Sequence, residues 1–139
     1  MPYPELMVAP MRQELSRLGA VELKTAADVD AFLADKTGSA MIVFNSVCGC
    51  AAGAARPAVA LSLQHSKKPT RVATVFAGQD TEATQRARGY FPQLPPSSPS
   101  IIIIRNGELA EYIARHRIEG RDAGSIAKDL TAVFDRISA

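Results

Sequence analysis

The chain has no tryptophan, two cysteines, two histidines and little charge excess, with 16 Lys and Arg against 14 Asp and Glu for a net charge of +2. Each scarcity excludes a class. Near-balanced charge removes the electrostatic case for a nucleic-acid partner. The longest aliphatic run, Ile101 to Ile104, is far short of the roughly 20 residues a membrane helix needs, so no membrane partner is expected. The start, Met1-Pro2-Tyr3-Pro4-Glu5, is neither basic nor apolar; no secretory signal is read, and the cytoplasm is the expected compartment. Two cysteines cannot frame a disulfide-stapled secreted domain. Cys48 and Cys50 are one residue apart, so a bond between them closes almost no loop and adds little stability. In a reducing compartment the pair reads as chemical rather than structural.

What remains is ordinary globular material. With 139 residues, 47% of them hydrophobic, the chain can build one domain with a real core and is too short for two. No repeat or low-complexity linker divides it. Leu6, Met7, Pro10, Met11, Leu15 and Leu18 follow helical spacing over Pro4 to Leu18, with Gly19 as a stop. Val21 to Leu23 reads as an edge strand, and Thr25 caps a helix over Ala26 to Lys36. Met41 to Phe44 reads as a buried strand, and an alanine-rich helix kinked by Pro57 runs to His65. Arg71 to Ala77 is a further strand, and Asp80 is a cap for a helix to about Tyr90. Pro92, Pro95, Pro96 and Pro99 stiffen a connection to two strands, Ile101 to Arg105 and Glu108 to Ala114, joined by Asn106-Gly107 as a hairpin turn. Asp122 opens a last amphipathic helix through Ile126, Leu130, Val133, Phe134 and Ile137. Alternation followed by a hairpin implies an α/β fold with a mixed sheet, parallel in its first part, and helices on both faces.

Cys48 and Cys50 fall where a buried strand turns into a helix, the sheet edge where loops and helix N-termini converge. Unpaired N–H groups and about half a positive charge favour a thiolate there. Lowering a thiol pKa from about 8.5 to about 7 raises the thiolate fraction at pH 7 roughly sixteen-fold. Intrinsic nucleophilicity falls as well, leaving a net gain of roughly three- to fourfold, and the thiolate becomes a better leaving group. Gly49 is expected to supply a backbone conformation that a β-carbon forbids. A Cys-x-Cys bond closes a tighter ring than Cys-x-x-Cys and should be readily reduced. Two rival readings are weaker. Adjacent-but-one thiols are poor core filler, and a closed metal site needs further ligands when only His65 and His116 exist.

The residues Asn45-Ser46-Val47-Cys48-Gly49-Cys50-Ala51-Ala52-Gly53 with Ala55-Arg56-Pro57 resemble the bacilliredoxin family. So do Val75 to Asp80, Pro96 to Ser100, Arg115-His116 with Ile118-Glu119-Gly120, and Leu130 to Asp135, in order along nearly the whole chain. The resemblance implies a single thioredoxin-like domain over 1–139 with an N-terminal helical extension. It implies thiol–disulfide oxidoreductase chemistry: removal of bacillithiol, or a similar low-molecular-weight thiol, from protein mixed disulfides, with disulfide isomerisation as a related activity. Cys48 would attack and Cys50 resolve, and Ser98-Pro99 matches the cis-proline loop facing the cysteines. Gly49, Ser98 and Pro99 are the expected substrate-binding residues. The partners implied are S-thiolated client proteins and the small thiol as co-substrate, with no bound cofactor and no metal.

The alternative of another class is a non-enzymatic redox-sensing or metal-binding module using the same cysteines. Among the remaining residues, His116 is read as structural near the end of a hairpin strand, and Glu119-Gly120 as positioning a loop. Asn45 and Ser46 serve either turn chemistry or hydrogen bonds near the thiols, and Lys67-Lys68 is a solvated loop.

Overall fold

The computed structural model describes residues 2–138. The chain runs α1 (Glu5–Ser16), β1 (Val21–Glu22), α2 (Ala26–Ala34) and β2 (Ser39–Asn45), then a π-type turn at Ala51–Ala55 leading into α3 (Arg56–Ser62). There follow β3 (Arg71–Phe76), α4 (Thr81–Gly89), β4 (Ser100–Arg105), β5 (Glu108–Ile113), a 3-10 turn at Arg115–Arg117 and α5 (Ala123–Ile137). The strands lie in the order β1-β3-β2-β4-β5. β1, β3 and β2 are parallel, while β4 runs antiparallel to β2 and to β5.

Side-chain alternation explains why β2 and β4 are unbroken apolar runs. Met41, Val43, Ile101 and Ile103 face a core shared with Leu15, Val59, Leu130 and Phe134, from α1, α3 and α5. Ala40, Ile42, Phe44, Ile102 and Ile104 face a second core with Val29, Phe32, Ala83 and Ala87, from α2 and α4. A strand covered on both faces has no solvent side and therefore no polar alternation. Local signals also hold. Thr25 and Asp28 form a reciprocal capping box, Asp122 accepts from Ser125 N–H, and Asn106 and Gly107 both have positive φ, as a type I′ turn requires.

Three local expectations are corrected. α1 buries Val8, Arg12 and Leu15, one stripe at i, i+4 and i+7, while Leu6 stays 92% exposed and Met7 48%. The helix is anchored by a charge: Arg12 donates to Asp80 at 2.6 and 3.0 Å and to Glu5 at 2.7 Å, beneath the ring of Phe76. That pairing also removes Asp80 from capping duty, and α4 begins without a side-chain cap. The helices after Thr25 and after the cysteines end at Ala34 and Ser62, short of Lys36 and His65. The expected distortion at Pro57 is present as the π-type turn; a proline cannot donate to the carbonyl four residues back, and the preceding turn widens around that gap.

Candidate active site

The site begins with a buried polar knot at the end of β2. Asn45 Oδ1 accepts from Ser46 N–H and from Arg56 Nη1, both at 2.9 Å, and Asn45 Nδ2 donates to the Met11 carbonyl at 3.1 Å. Arg56 also donates to the Ser46 carbonyl at 2.9 Å, with Glu14 ion-paired 3.0 Å from its Nε. Asn45, Ser46 and Arg56 are all buried. These hydrogen bonds fix the strand-to-helix turn, while the buried Arg56 Nε has the Glu14 ion pair but no hydrogen bond. Ser46 Oγ then accepts from the Cys48 backbone N–H at 3.2 Å, so Asn45 and Ser46 build the turn that carries the thiol.

The Cys48 carbonyl takes the first helical bonds, from Ala51 N–H at 2.9 Å and Ala52 N–H at 3.2 Å. Cys48 thus stands at the N-cap, and its sulfur accepts from Cys50 N–H at 3.4 Å, as a capping side chain does. Both cysteines are free and half-buried. Gly49 departs from expectation. It is helical without positive φ, and a β-carbon would meet nothing within 4 Å. No special conformation is required there, and the glycine instead leaves the surface beside the sulfurs bare.

The two thiols are driven in opposite directions. The Cys50 N–H and then the Cys50 thiol, both donating to its sulfur, hold Cys48 below the ordinary thiol range; burial opposes this, and Arg115 and Ala51 N–H assist. Cys50 is pushed up, first because its thiol donates to Cys48, then by burial and the Cys48 charge; Glu119 adds to the rise and Arg115 opposes it.

Arg115 and Glu119 reach these sulfurs from after β5. Arg115 Nη2 lies 3.9 Å from Cys50 Sγ, Nη1 donates to the Ser98 carbonyl at 3.3 Å, and Nε donates to Glu119 Oε2 at 2.7 Å. The same Glu119 oxygen is 3.9 Å from Cys50 Sγ. The Ser98–Pro99 bond is cis, and its loop is held by Ser97 Oγ, which accepts from Arg115 N–H at 3.1 Å and meets the Tyr112 hydroxyl at 2.8 Å. The structure therefore gathers Cys48, Cys50, Arg115, Glu119 and the Ser98 carbonyl, with Pro99 next on the same loop. His116 lies in the 3-10 turn just after β5, and its neighbour Arg115 carries the contact to Cys50. Sequence reasoning missed Arg115 and Arg56. Both lie in blocks that carried the resemblance, but no local pattern pairs residue 115 with residue 50.

A cavity of about 420 Å³ lined by Leu18, Val21, Phe32, Leu63, Lys68 and Arg71 includes neither cysteine. Exchange between disulfides needs an open sulfur rather than an enclosed pocket. Among the described residues, no group of three or more His, Cys, Asp or Glu is placed to hold a metal ion, and no helix is long and apolar enough to cross a membrane.

Residues 3–138 match the family described as Disulphide isomerase. A bacilliredoxin of Cytophaga hutchinsonii is 53% identical over 135 residues, 97% of this chain and 99% of the relative. The chain belongs to the bacilliredoxin family. A bacilliredoxin of Koribacter versatilis is likewise 53% identical over 96% of this chain and 92% of its own length, and one of Shouchella clausii 47% over the same shares. The fold is thioredoxin-like. A putative oxidoreductase with a thioredoxin fold superposes with a TM-score of 0.59 at 14% identity, covering 78% of this chain and 91% of its own. Fasciola hepatica thioredoxin gives 0.58 at 18% identity, covering 84% and 98%. Family membership and fold together support a thiol–disulfide oxidoreductase-like role for this chain.

Proposed function

We propose that the chain removes bacillithiol, or a similar low-molecular-weight thiol, from S-thiolated client proteins in the cytoplasm, with Cys48 attacking and Cys50 resolving. One observation carries the reading: Cys48 stands at the helix start with its sulfur accepting from Cys50 N–H at 3.4 Å, an arrangement that favours a thiolate on Cys48 and a thiol on Cys50. The Cys48 thiolate attacks the small-thiol sulfur of a client mixed disulfide. That S–S bond breaks, the client leaves as a thiolate and takes a proton, and Cys48 now carries the small thiol. Neither the negative charge nor the free acceptor sulfur remains on Cys48, so the main causes that held Cys50 protonated are gone. Cys50 then attacks the Cys48 sulfur, forms the Cys48–Cys50 disulfide and expels the small thiol; further small thiol reduces the pair. Isomerisation uses the same first attack on a client disulfide, with release by a second client thiol. Gly49 gives clients clearance, and the Ser98-Pro99 loop offers backbone groups to an extended client segment.

The test is a bacillithiolated client with each single variant. Cys48→Ser should abolish removal, while Cys50→Ser should keep the first transfer and accumulate the Cys48 adduct in intact-mass measurements. A Cys48→Ser protein that still takes up the small thiol would refute the assignment. Many turnovers with added bacillithiol support the enzyme, and a single oxidation per chain supports a sensor.

A further inference from the structure

We propose that Glu119 accepts the Cys50 proton during the resolving step and hands it to the departing small thiol, with Arg115 holding the carboxylate in place. The inference rests on the reading above and adds to it the fate of the proton. Glu119 Oε2 is 3.9 Å from Cys50 Sγ, within reach of an S–H donor. It is preset rather than free, because Arg115 Nε donates to that oxygen at 2.7 Å and Glu119 N–H donates to the Arg115 carbonyl at 2.8 Å. Arg115 is itself tied to the Ser97 hydroxyl and the Ser98 carbonyl.

The charged and titratable groups facing Cys50 are Cys48 on its own helix, and Arg115 and Glu119 from beyond β5. Once Cys48 carries the small thiol, Arg115 and Glu119 are the charged groups still facing the Cys50 proton. Arg115 has no basic site, so Glu119 is the acceptor. The step balances. The proton moves from Cys50 Sγ to Glu119 Oε2, the Cys50 electron pair forms the bond to Cys48 Sγ, and the bond from Cys48 to the small thiol breaks. The leaving thiolate then takes the proton from Glu119, whose side chain is 57% exposed and open to the departing group. A carboxylate is a weaker base than a thiolate, so transfer accompanies attack rather than preceding it. That mismatch places the contribution near about tenfold, below the usual range for a positioned base.

Cys48 is loaded with 2-mercaptoethanol from its symmetric disulfide, and acid-quenched samples are followed by intact mass from adduct to internal disulfide. Glu119→Gln and Glu119→Ala should resolve the adduct about tenfold more slowly than wild type. Added formate should restore resolution in Glu119→Ala and do little for Glu119→Gln, whose amide fills the space. If the carboxylate acts through charge alone, its removal leaves Arg115 to favour the Cys50 thiolate and resolution quickens. Resolution at or above the wild-type rate in both variants would overturn the inference while leaving Cys48 as the loading residue. Failure of Cys48 to load would remove the reading on which it rests.

Discussion

Arg115 touches Cys50, Glu119 and the Ser98 carbonyl with one guanidinium, and its positive charge lowers the pKa of both thiols. Arg115→Gln should therefore raise the Cys48 pKa and slow its alkylation at neutral pH about two- to fivefold, the scale of an exposed charge pair. A pH–rate profile shifted to higher pH checks this, and an unshifted profile contradicts it. Linkage gives the matching stability effect. Cys48 is depressed in the folded chain, so its stabilisation is present above the unfolded thiol value and is lost as pH falls through the folded one. At this scale the sequence was half legible. Two thiols one residue apart at a strand-to-helix junction announce their chemistry, whereas Arg115 enters the site from 65 residues beyond Cys50.

The elements hold the site through a few long-range ties. Arg12 in α1 pairs with Asp80 before α4, with Glu5, and more distantly with Glu22 of β1 at 3.6 Å, from a largely buried position. Removing that cation leaves Asp80 and Glu22 uncompensated, which costs about 3–5 kcal/mol in comparable buried pairs. Asp80 then becomes free to cap α4, recovering about 1 kcal/mol. Arg12→Met should thus lose about 2–4 kcal/mol in urea unfolding, and a loss within the scatter of surface substitutions would contradict the account. This tie explains two departures from sequence expectation. A periodicity rule counts apolar residues and so places Leu6 and Met7 inward, but the stripe that packs contains Arg12. Capping rules are local and cannot see a guanidinium arriving from residue 12. Where the decisive partner lies within three residues, as with Thr25 and Asp28 or Asp122 and Ser125, the sequence reading holds.

Across the molecule, the sheet order places β2 between a parallel neighbour, β3, and an antiparallel one, β4. The carboxyl end of β2 therefore meets the segment entering β4 and the segment leaving β5. That topology sets the Cys48 turn, the Ser98-Pro99 loop and the Arg115 to Glu119 turn side by side; alternation and the hairpin make a mixed sheet readable in the sequence, but not the antiparallel place of β4 beside β2. This convergence makes two chemically identical groups unequal. The most direct measurement is site-resolved alkylation of the reduced wild-type chain with iodoacetamide across pH, with the modified sulfur located by fragment-ion mass spectrometry. Cys48 should carry the first label, already below the ordinary thiol range, while chains labelled at Cys50 with Cys48 still free should appear only at higher pH. Cys50 reacting first, or both sulfurs titrating together at an unperturbed value, would contradict it.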